Sequence, residues 1–378
     1  MVGNKYMQSI KKIKQIKDSR ILVRVDFNVP IENKKVRNDF KIQAALPTIN
    51  YLRKKGAKII LVSHISGDGT ESLAPVALYL NKFFSVTFVP DVIGKDVITA
   101  VSSMKSGDVI LLENLRKEAG EKENSKFFTV ALASLGDIYV NEAFPECHRE
   151  YASIVGVPKV LPSYAGLHLE KEIEELSLIS SPKQPFVALL GGAKFSTKLP
   201  LISKFLQTAD SVFVGGALAN TLLKAQGKEI GVSLTDEVTD DIQKVAKNKK
   251  LVDVTDVVVI RDDQKKTVSV DAVEKKDTIA DIGPKTIEQL VAICAKAKTV
   301  VWNGPFGIYE KGFVGATKTL LLALSKQKKT RVIIGGGDIV TVVGDLGLTD
   351  SFTHVSTGGG ATLEFLAKGT LPGIEALG

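Results

Sequence analysis

Five apolar runs in the second half of the chain end in glycine: FVALLGGAK (186–194), VFVGGAL (212–218), VVWNGPFG (300–307), VIIGGGD (332–338) and HVSTGGGA (354–361). Glycine lets backbone N–H groups approach a ligand closely, and a helix that follows presents its positive dipole end to phosphate. Any one pair could simply be a tight turn. Five in one half point to a crevice for a polyphosphate or nucleotide. Neither standard fingerprint is present, because GGAKFSTK does not fit GxxxxGKS/T and no GxGxxG is followed by the required acid. The first half ends its apolar runs in charge instead: Asp26 and Asn28 in RVDFNVP, His64 in LVSH, Glu113, Asn114 and Arg116 in LLENLR, His148 and Arg149 in FPECHRE. A lone histidine is usually structural, but guanidinium and imidazole gathered at strand ends suit a small anion.

Those residues need a scaffold that brings run ends together. Short β-branched runs alternate with helical patterns: ILVRVDF (21–27), a helix over 41–56, KIILVSH (58–64), a helix over 73–84, VILLEN (109–114), a helix over 127–136 and DIYVNEAF (137–144). Strands this uniformly apolar belong in parallel sheets covered on both faces, which gives an α/β class. VGVPKVLPS (155–163) reads as a linker and 165–180 as a charged amphipathic helix, after which the rhythm resumes. The spacing therefore predicts two Rossmann-like three-layer lobes with parallel sheets, joined by a hinge helix at 165–180. In open parallel sheets ligands bind beyond the carboxyl ends of the strands, where the glycines and the charges fall.

Composition agrees with two domains in 378 residues, with 44 % hydrophobic and 24 % charged content. No apolar run approaches the roughly 20 residues of a membrane span, and the basic start MVGNKYMQSIKKIKQIK lacks the apolar core of a secretion signal. Cys147 and Cys294 cannot make a disulfide framework, so a reducing, cytoplasmic setting is expected. The formal net charge of +8 fits either a nucleic-acid surface or anionic small substrates. The basic runs at 11–17 and 247–250 have no interleaved aromatics, so they read as solvated faces, and a nucleic-acid partner is not expected.

RVDFNVP (24–30), AALPTI (44–49), LLENLR (111–116), LGGAK (190–194), DIGPKT (281–286), WNGPFG (302–307), VIIGGGD (332–338), HVSTGGGA (354–361) and LPG (371–373) occur in the order and spacing of phosphoglycerate kinases, which the whole chain resembles. The resemblance implies reversible phosphoryl transfer between 1,3-bisphosphoglycerate and ADP, giving 3-phosphoglycerate and ATP with Mg²⁺. It implies a glycerate lobe at 1–164, with 361–378 returning to it, and a nucleotide lobe at 181–360. Asp26, Asn28, His64, Arg116 and Arg149 would contact the glycerate, with His148 beside them. Lys198 would reach the nucleotide phosphates, Lys194 the transferring group and Glu310 the ribose hydroxyls, with Asn303 near the phosphates. Gly215, Gly216, Gly336, Gly337 and Gly359 would line the nucleotide and the transferring phosphate, and Asp338 would meet the Mg²⁺. A cytoplasmic monomer is expected.

Several departures fall on these positions. Lys41 stands where the family has an arginine thought to stabilise the transferring group, and it keeps the charge but loses the planar fork. Gly67 stands where another arginine would bind phosphate, with Asp68 next to it; Arg37 or Arg53 could substitute. Pro145 and Glu146 replace a glycine and a threonine, which adds an acid near an anion site. Ala217 replaces a glycine, and Ile339 replaces a threonine, leaving only backbone amides there. The alternative to an active kinase is a member that binds nucleotide but transfers poorly and acts as a binding or regulatory protein.

Overall fold

The computed structural model describes residues 7–378, so the first six residues of the basic start lie outside the described residues. From position 10 to 17 the isoleucines Ile10, Ile13 and Ile16 are buried and the lysines between them face solvent. The run is a solvated face over an apolar anchor. The chain divides into two compact units, residues up to Ser177 with Lys368–Gly378, and Leu178–Ala367.

The first unit is built on a six-stranded parallel sheet in the order Thr87–Val89, Val109–Leu112, Lys58–Val62, Arg20–Arg24, Ile138–Asn141, Ser163–Ala165. Its central strands are buried on both faces, which is why they read as unbroken apolar runs. The helix Phe40–Lys54 covers one face by burying Ile42, Ala45, Ile49 and Leu52 at helical spacing. The chain order reverses at Arg20–Arg24, whose neighbours are reached from opposite sides, so the segment just after it lies at a topological switch point. Asp26 and Asn28 occupy that segment.

The second unit holds a five-stranded parallel sheet, Ser211–Val214, Phe186–Leu190, Thr299–Asn303, Arg331–Gly335, His354–Val355. The switch point falls at Phe186–Leu190, opening a crevice between the turns that follow it and Thr299–Asn303. A three-stranded antiparallel sheet, Gln264–Ser269, Asp256–Arg261, Thr278–Ile282, departs from the uniform parallel rhythm expected for this half. Its hairpin turns on Asp262 and Asp263, both at positive φ (50° and 58°), the conformation of a two-residue mirror-image turn.

Other departures are local. The strand Thr87–Val89 and the helix Lys95–Ser103 were not anticipated, and the helix expected over 73–84 runs only over Ala74–Leu80. The linker at 155–163 holds a 3-10 turn, Val157–Lys159, and leads into the edge strand Ser163–Ala165. The charged helix expected over 165–180 is Leu167–Ser177 followed by a 3-10 turn. The helix Gly360–Lys368 stays with the second unit, and the segment grouped with the first starts at Lys368. It is held there by Gly373 N–H donating to Cys147 O at 2.8 Å. Both cysteines are buried and unbridged.

Candidate functional site

In the first unit, polar side chains converge where the strands Arg20–Arg24, Lys58–Val62 and Val109–Leu112 end. Asp26 is buried and accepts from Lys41 Nζ at 2.7 Å and from the Asn28 backbone N–H at 3.0 Å. Burial alone would raise its pKa, but Lys41 and these bonds outweigh it and hold the carboxyl at about 2. Asp26 is thus a fixed anion that aims Lys41. His64 is buried and accepts at Nδ1 from Arg24 Nη2 at 3.2 Å, which leaves its proton on Nε2. Burial pushes its pKa well below the usual value, so the ring is neutral.

Arg116 donates through Nη1 to Ser66 O and through Nη2 to Glu146 Oε2 at 3.3 Å. Two nitrogens here, His64 Nε2 and Arg116 Nε, are buried with no hydrogen-bond partner. Buried donors are costly to leave unpaired, so a pair of them marks a place for an acceptor-rich anion. Glu146 lies among these groups, and burial raises its carboxyl above the ordinary range.

Beneath this layer Arg24 is fully buried, donating to Ser153 Oγ at 2.9 Å and to Val25 O at 2.6 Å. Ser153 in turn donates to Glu121 Oε1 at 2.6 Å. Arg24 and Glu121 were not singled out from sequence, although a charged residue inside the apolar run ILVRV was an available signal. Asn114 and Glu113, read there as strand-end polar groups, are structural. Asn114 bonds Ile65 in both directions, and Glu113 accepts from Leu73 N–H and Asn114 N–H. Neither Arg37 nor Arg53 replaces the missing arginine at Gly67. Arg37 pairs with Glu32 at 2.9 Å in an exposed hairpin, and Arg53 bonds Asn50 while lying over the Phe84 ring. The cation that reaches Gly67 is Lys122, whose Nζ donates to Gly67 O at 2.6 Å.

In the second unit a cavity of about 490 Å³ opens beside the glycine turns. Leu223, Val232, Val257 and Ile279 line it, the last two from the antiparallel sheet, together with Glu310 and Asp338. Lys198 is buried beside Gly192, which lines the cavity, donating to Gly191 O and to Asn303 Oδ1 at 3.0 Å, and burial lowers its pKa to about 8. Asn303 Nδ2 is buried without a partner. A buried cation and an orphaned amide beside glycine turns are what a phosphate chain would satisfy.

The turns themselves require glycine. Gly336 has φ +103° and caps the helix Gly337–Asp345, and Gly216 has φ +67° and caps Ala217–Ala225. In Ala217–Ala225 the Leu218 and Ala219 N–H groups donate to Gly192 O and Gly216 O, so the first-turn amides that suit an anion are those of Gly337–Asp345. The turn holding Gly359 lies next to the Gly335–Gly337 turn, since Ser356 N–H donates to Ile334 O at 2.7 Å.

Not every expected residue joins these clusters. Ile339 is fully buried, so it offers only its backbone N–H. Gly215 lies against the Phe306 ring, 2.4 Å from where a Cβ would stand, a packing role. Lys194 is exposed just before the helix Phe195–Thr208. Arg149 is exposed and His148 half-buried in the turn after Glu146.

The exposed Asp338 lies beside Glu310, and burial and that neighbour together raise its carboxyl. Among the described residues no group of three or more His, Cys, Asp or Glu could hold a metal alone. Two neighbouring carboxylates lining a cavity beside glycine turns do fit Mg²⁺, which usually takes one or two protein carboxylates with phosphate oxygens and water. No helix among the described residues is long and apolar enough to cross a membrane.

The family model described as phosphoglycerate kinase matches residues 10–369. The phosphoglycerate kinase of Dictyoglomus turgidum is 43% identical over 380 residues, covering 96% of each chain. That of Coprothermobacter proteolyticus is 42% identical over 385 residues, covering 96% of this chain and 97% of its own. Among solved structures, phosphoglycerate kinase from Coxiella burnetii superposes with a TM-score of 0.83 at 36% identity. The phosphoglycerate kinase from Pyrococcus horikoshii gives 0.88 at 28%, and each covers 98% of both chains.

Proposed function

The chain belongs to the phosphoglycerate kinase family, and on that footing we propose that it transfers a phosphoryl group reversibly between 1,3-bisphosphoglycerate and ADP, giving 3-phosphoglycerate and ATP. It is a phosphotransferase of glycolysis. The observation that supports the reading most directly is the buried Lys198 with the orphaned Asn303 amide beside an apolar cavity. Together they suit a nucleotide whose base enters the cavity and whose phosphates reach the glycine turns.

In the direction that consumes ATP, an oxygen of the 3-phosphoglycerate carboxylate attacks the γ-phosphorus while the bond from that phosphorus to the ADP oxygen breaks. The attacking oxygen is already ionised, so no protein base is required. The first unit is built accordingly, because Asp26 is too acidic and His64 too buried to exchange protons near neutral pH. Their work is positioning. Asp26 holds Lys41, and His64, Asn28, Arg116, His148 and Arg149 bind the acceptor, with Lys122 supplying charge at the place of the missing arginine.

In the second unit Lys198 and Asn303 bind the nucleotide phosphates, and Glu310 holds the ribose. Gly336, Gly337, Ile339 and Gly359 offer amides to the phosphates, while Lys194 and Lys41 neutralise the transferring group. Asp338, with Glu310 near it, would hold Mg²⁺, which would supply neutralisation of phosphate charge. The segment 165–180, within which the division between units falls, is the proposed hinge, and a cytoplasmic monomer completes the reading.

An assay of 3-phosphoglycerate with MgATP, coupled to acyl-phosphate consumption, should show turnover that Asp338→Ala abolishes. Wild-type turnover no better than that variant, with ADP still bound, would leave only the nucleotide-binding alternative.

A further inference from the structure

The carboxylate of Glu146 stands among cations that the proposed acceptor needs. Its Oε2 is 3.3 Å from Arg116 Nη2 and 4.0 Å from Arg24 Nη2, and its Oε1 is 3.6 Å from His64 Nε2. The contact to His64 is too long for a hydrogen bond, and Arg116 Nε has no partner at all. Glu146 therefore lends its negative charge to the pocket without satisfying the donors that open into it. It is also held in place, because its backbone lies in the buried turn Phe144–Glu146, where Glu146 N–H donates to Ala143 O at 3.0 Å.

Resting on the function proposed above, we propose that Glu146 is a resident carboxylate that occupies part of the acceptor's anion pocket and sets how tightly a phosphorylated acid binds there. An incoming phosphate or carboxylate gains Arg116 and His64 only by turning Glu146 away or by lying beside it. Either course costs affinity, since a like charge within a few ångströms in a partly buried site opposes binding. Glu146 is thus a specificity-determining residue. It disfavours acceptors of high negative charge and penalises less those that present a hydroxyl to the carboxylate. A purely structural Glu146, needed to hold Arg116 in position, makes the opposite forecast, because its removal would loosen the pocket and weaken binding.

The test is calorimetric titration of Glu146→Gln and the wild type with 3-phosphoglycerate and, separately, with sulfate as an unreactive anion. Thermal melting establishes that the variant is folded, and Glu146→Thr is the second variant. Both ligands should bind the variant about tenfold more tightly, and KM for 3-phosphoglycerate should fall while KM for MgATP stays. Unchanged or weaker binding of both anions by a folded variant overturns the proposal. A wild type that turns over no 3-phosphoglycerate would sink the assigned reaction instead, and the sulfate titration would still decide the role of Glu146. Should neither variant fold, a crystal structure of the wild type with 3-phosphoglycerate bound decides. A ligand bonded to Arg116 Nε or His64 Nε2, with Glu146 turned away or lying against it, supports the proposal, and a ligand that meets neither nitrogen refutes it.

Discussion

Nucleotide affinity should fall as pH rises from 7.5 to 9, because the cation proposed to meet the phosphates is Lys198, whose pKa burial lowers to about 8. At that pKa about three-quarters of the free protein carries a protonated Lys198 at pH 7.5 and about one-tenth at pH 9. A bound phosphate chain keeps the ammonium protonated, so apparent affinity follows the protonated fraction of the free protein. The dissociation constant for ADP should then rise about eightfold across the window. The phosphates themselves keep their charge there, their last proton leaving near pH 6.

Lys198→Met should bind ADP weakly and without this slope. Holding a protonated lysine in this site costs about 3 kcal/mol below pH 8, a penalty that fades as pH rises toward 10.5. Removing it offsets the loss of the bonds to Gly191 O and Asn303 Oδ1, worth about 1–3 kcal/mol each. The variant therefore stays folded, and its melting temperature should move little. Calorimetric titrations of ADP at pH 7.5, 8, 8.5 and 9, repeated in buffers of different ionisation enthalpy, measure both the affinity and the linked proton uptake. A flat wild-type profile, or an equal slope in Lys198→Met, would refute the assignment of Lys198 to the phosphates.

Lys122→Ala should weaken 3-phosphoglycerate binding about tenfold, the worth of one charge-assisted bond, and leave ADP affinity alone, as paired titrations would show. In Asp338→Asn, ADP without metal should bind as well as to the wild type, while Mg²⁺ should no longer strengthen that binding; retention of the Mg²⁺ effect would move the metal elsewhere. Glu142 is buried and accepts from the backbone N–H groups of His168 and Leu169 at the start of Leu167–Ser177, and burial pushes its carboxyl up to about 8. A carboxyl raised on folding contributes stability that is full below about pH 4.5 and lost as pH rises through 8. Urea melts at pH 5, 7 and 9 should therefore show the wild type losing several kcal/mol that Glu142→Gln does not lose, and parallel slopes would contradict it.

What the sequence disclosed follows from how parallel sheets are solvated. A strand covered on both faces must be apolar along its length, so the first polar residue after it marks the carboxyl end where ligands bind. That rule picked out Asp26, His64 and Arg116, whereas Asn303 and Asp338 came only from the family resemblance. It misassigned Asn114 and Glu113, because a strand end also needs residues that close the loop beyond it, and type alone does not separate the two uses. The antiparallel sheet went unread although its signal was local, two β-branched runs about Asp262–Asp263. The parallel rhythm on either side was stronger. Arg24 broke the apolar rule inside ILVRV, and only the fold shows why. Its partners Ser153 and His64 come from distant segments, and distances across a sheet have no counterpart in spacing along one strand.

Taken one at a time, Lys41, Gly67 and Glu146 each read as a loss at the acceptor site. In the folded chain they belong to one electrostatic group. Lys41 is tied to Asp26, Lys122 reaches the carbonyl of Gly67, and Glu146 faces Arg116, His64 and Arg24. Charges that share neighbours do not contribute additively, so adding back single arginines should recover less than the sum of their separate values. With Glu146 in place, a new guanidinium at position 67 or 41 would gain a resident carboxylate as a partner before it met a substrate. An arginine restored together with Glu146→Thr should therefore strengthen 3-phosphoglycerate binding by more than the two changes made separately. The sign of that coupling follows from where Glu146 lies, and no inspection of the three positions in isolation would supply it.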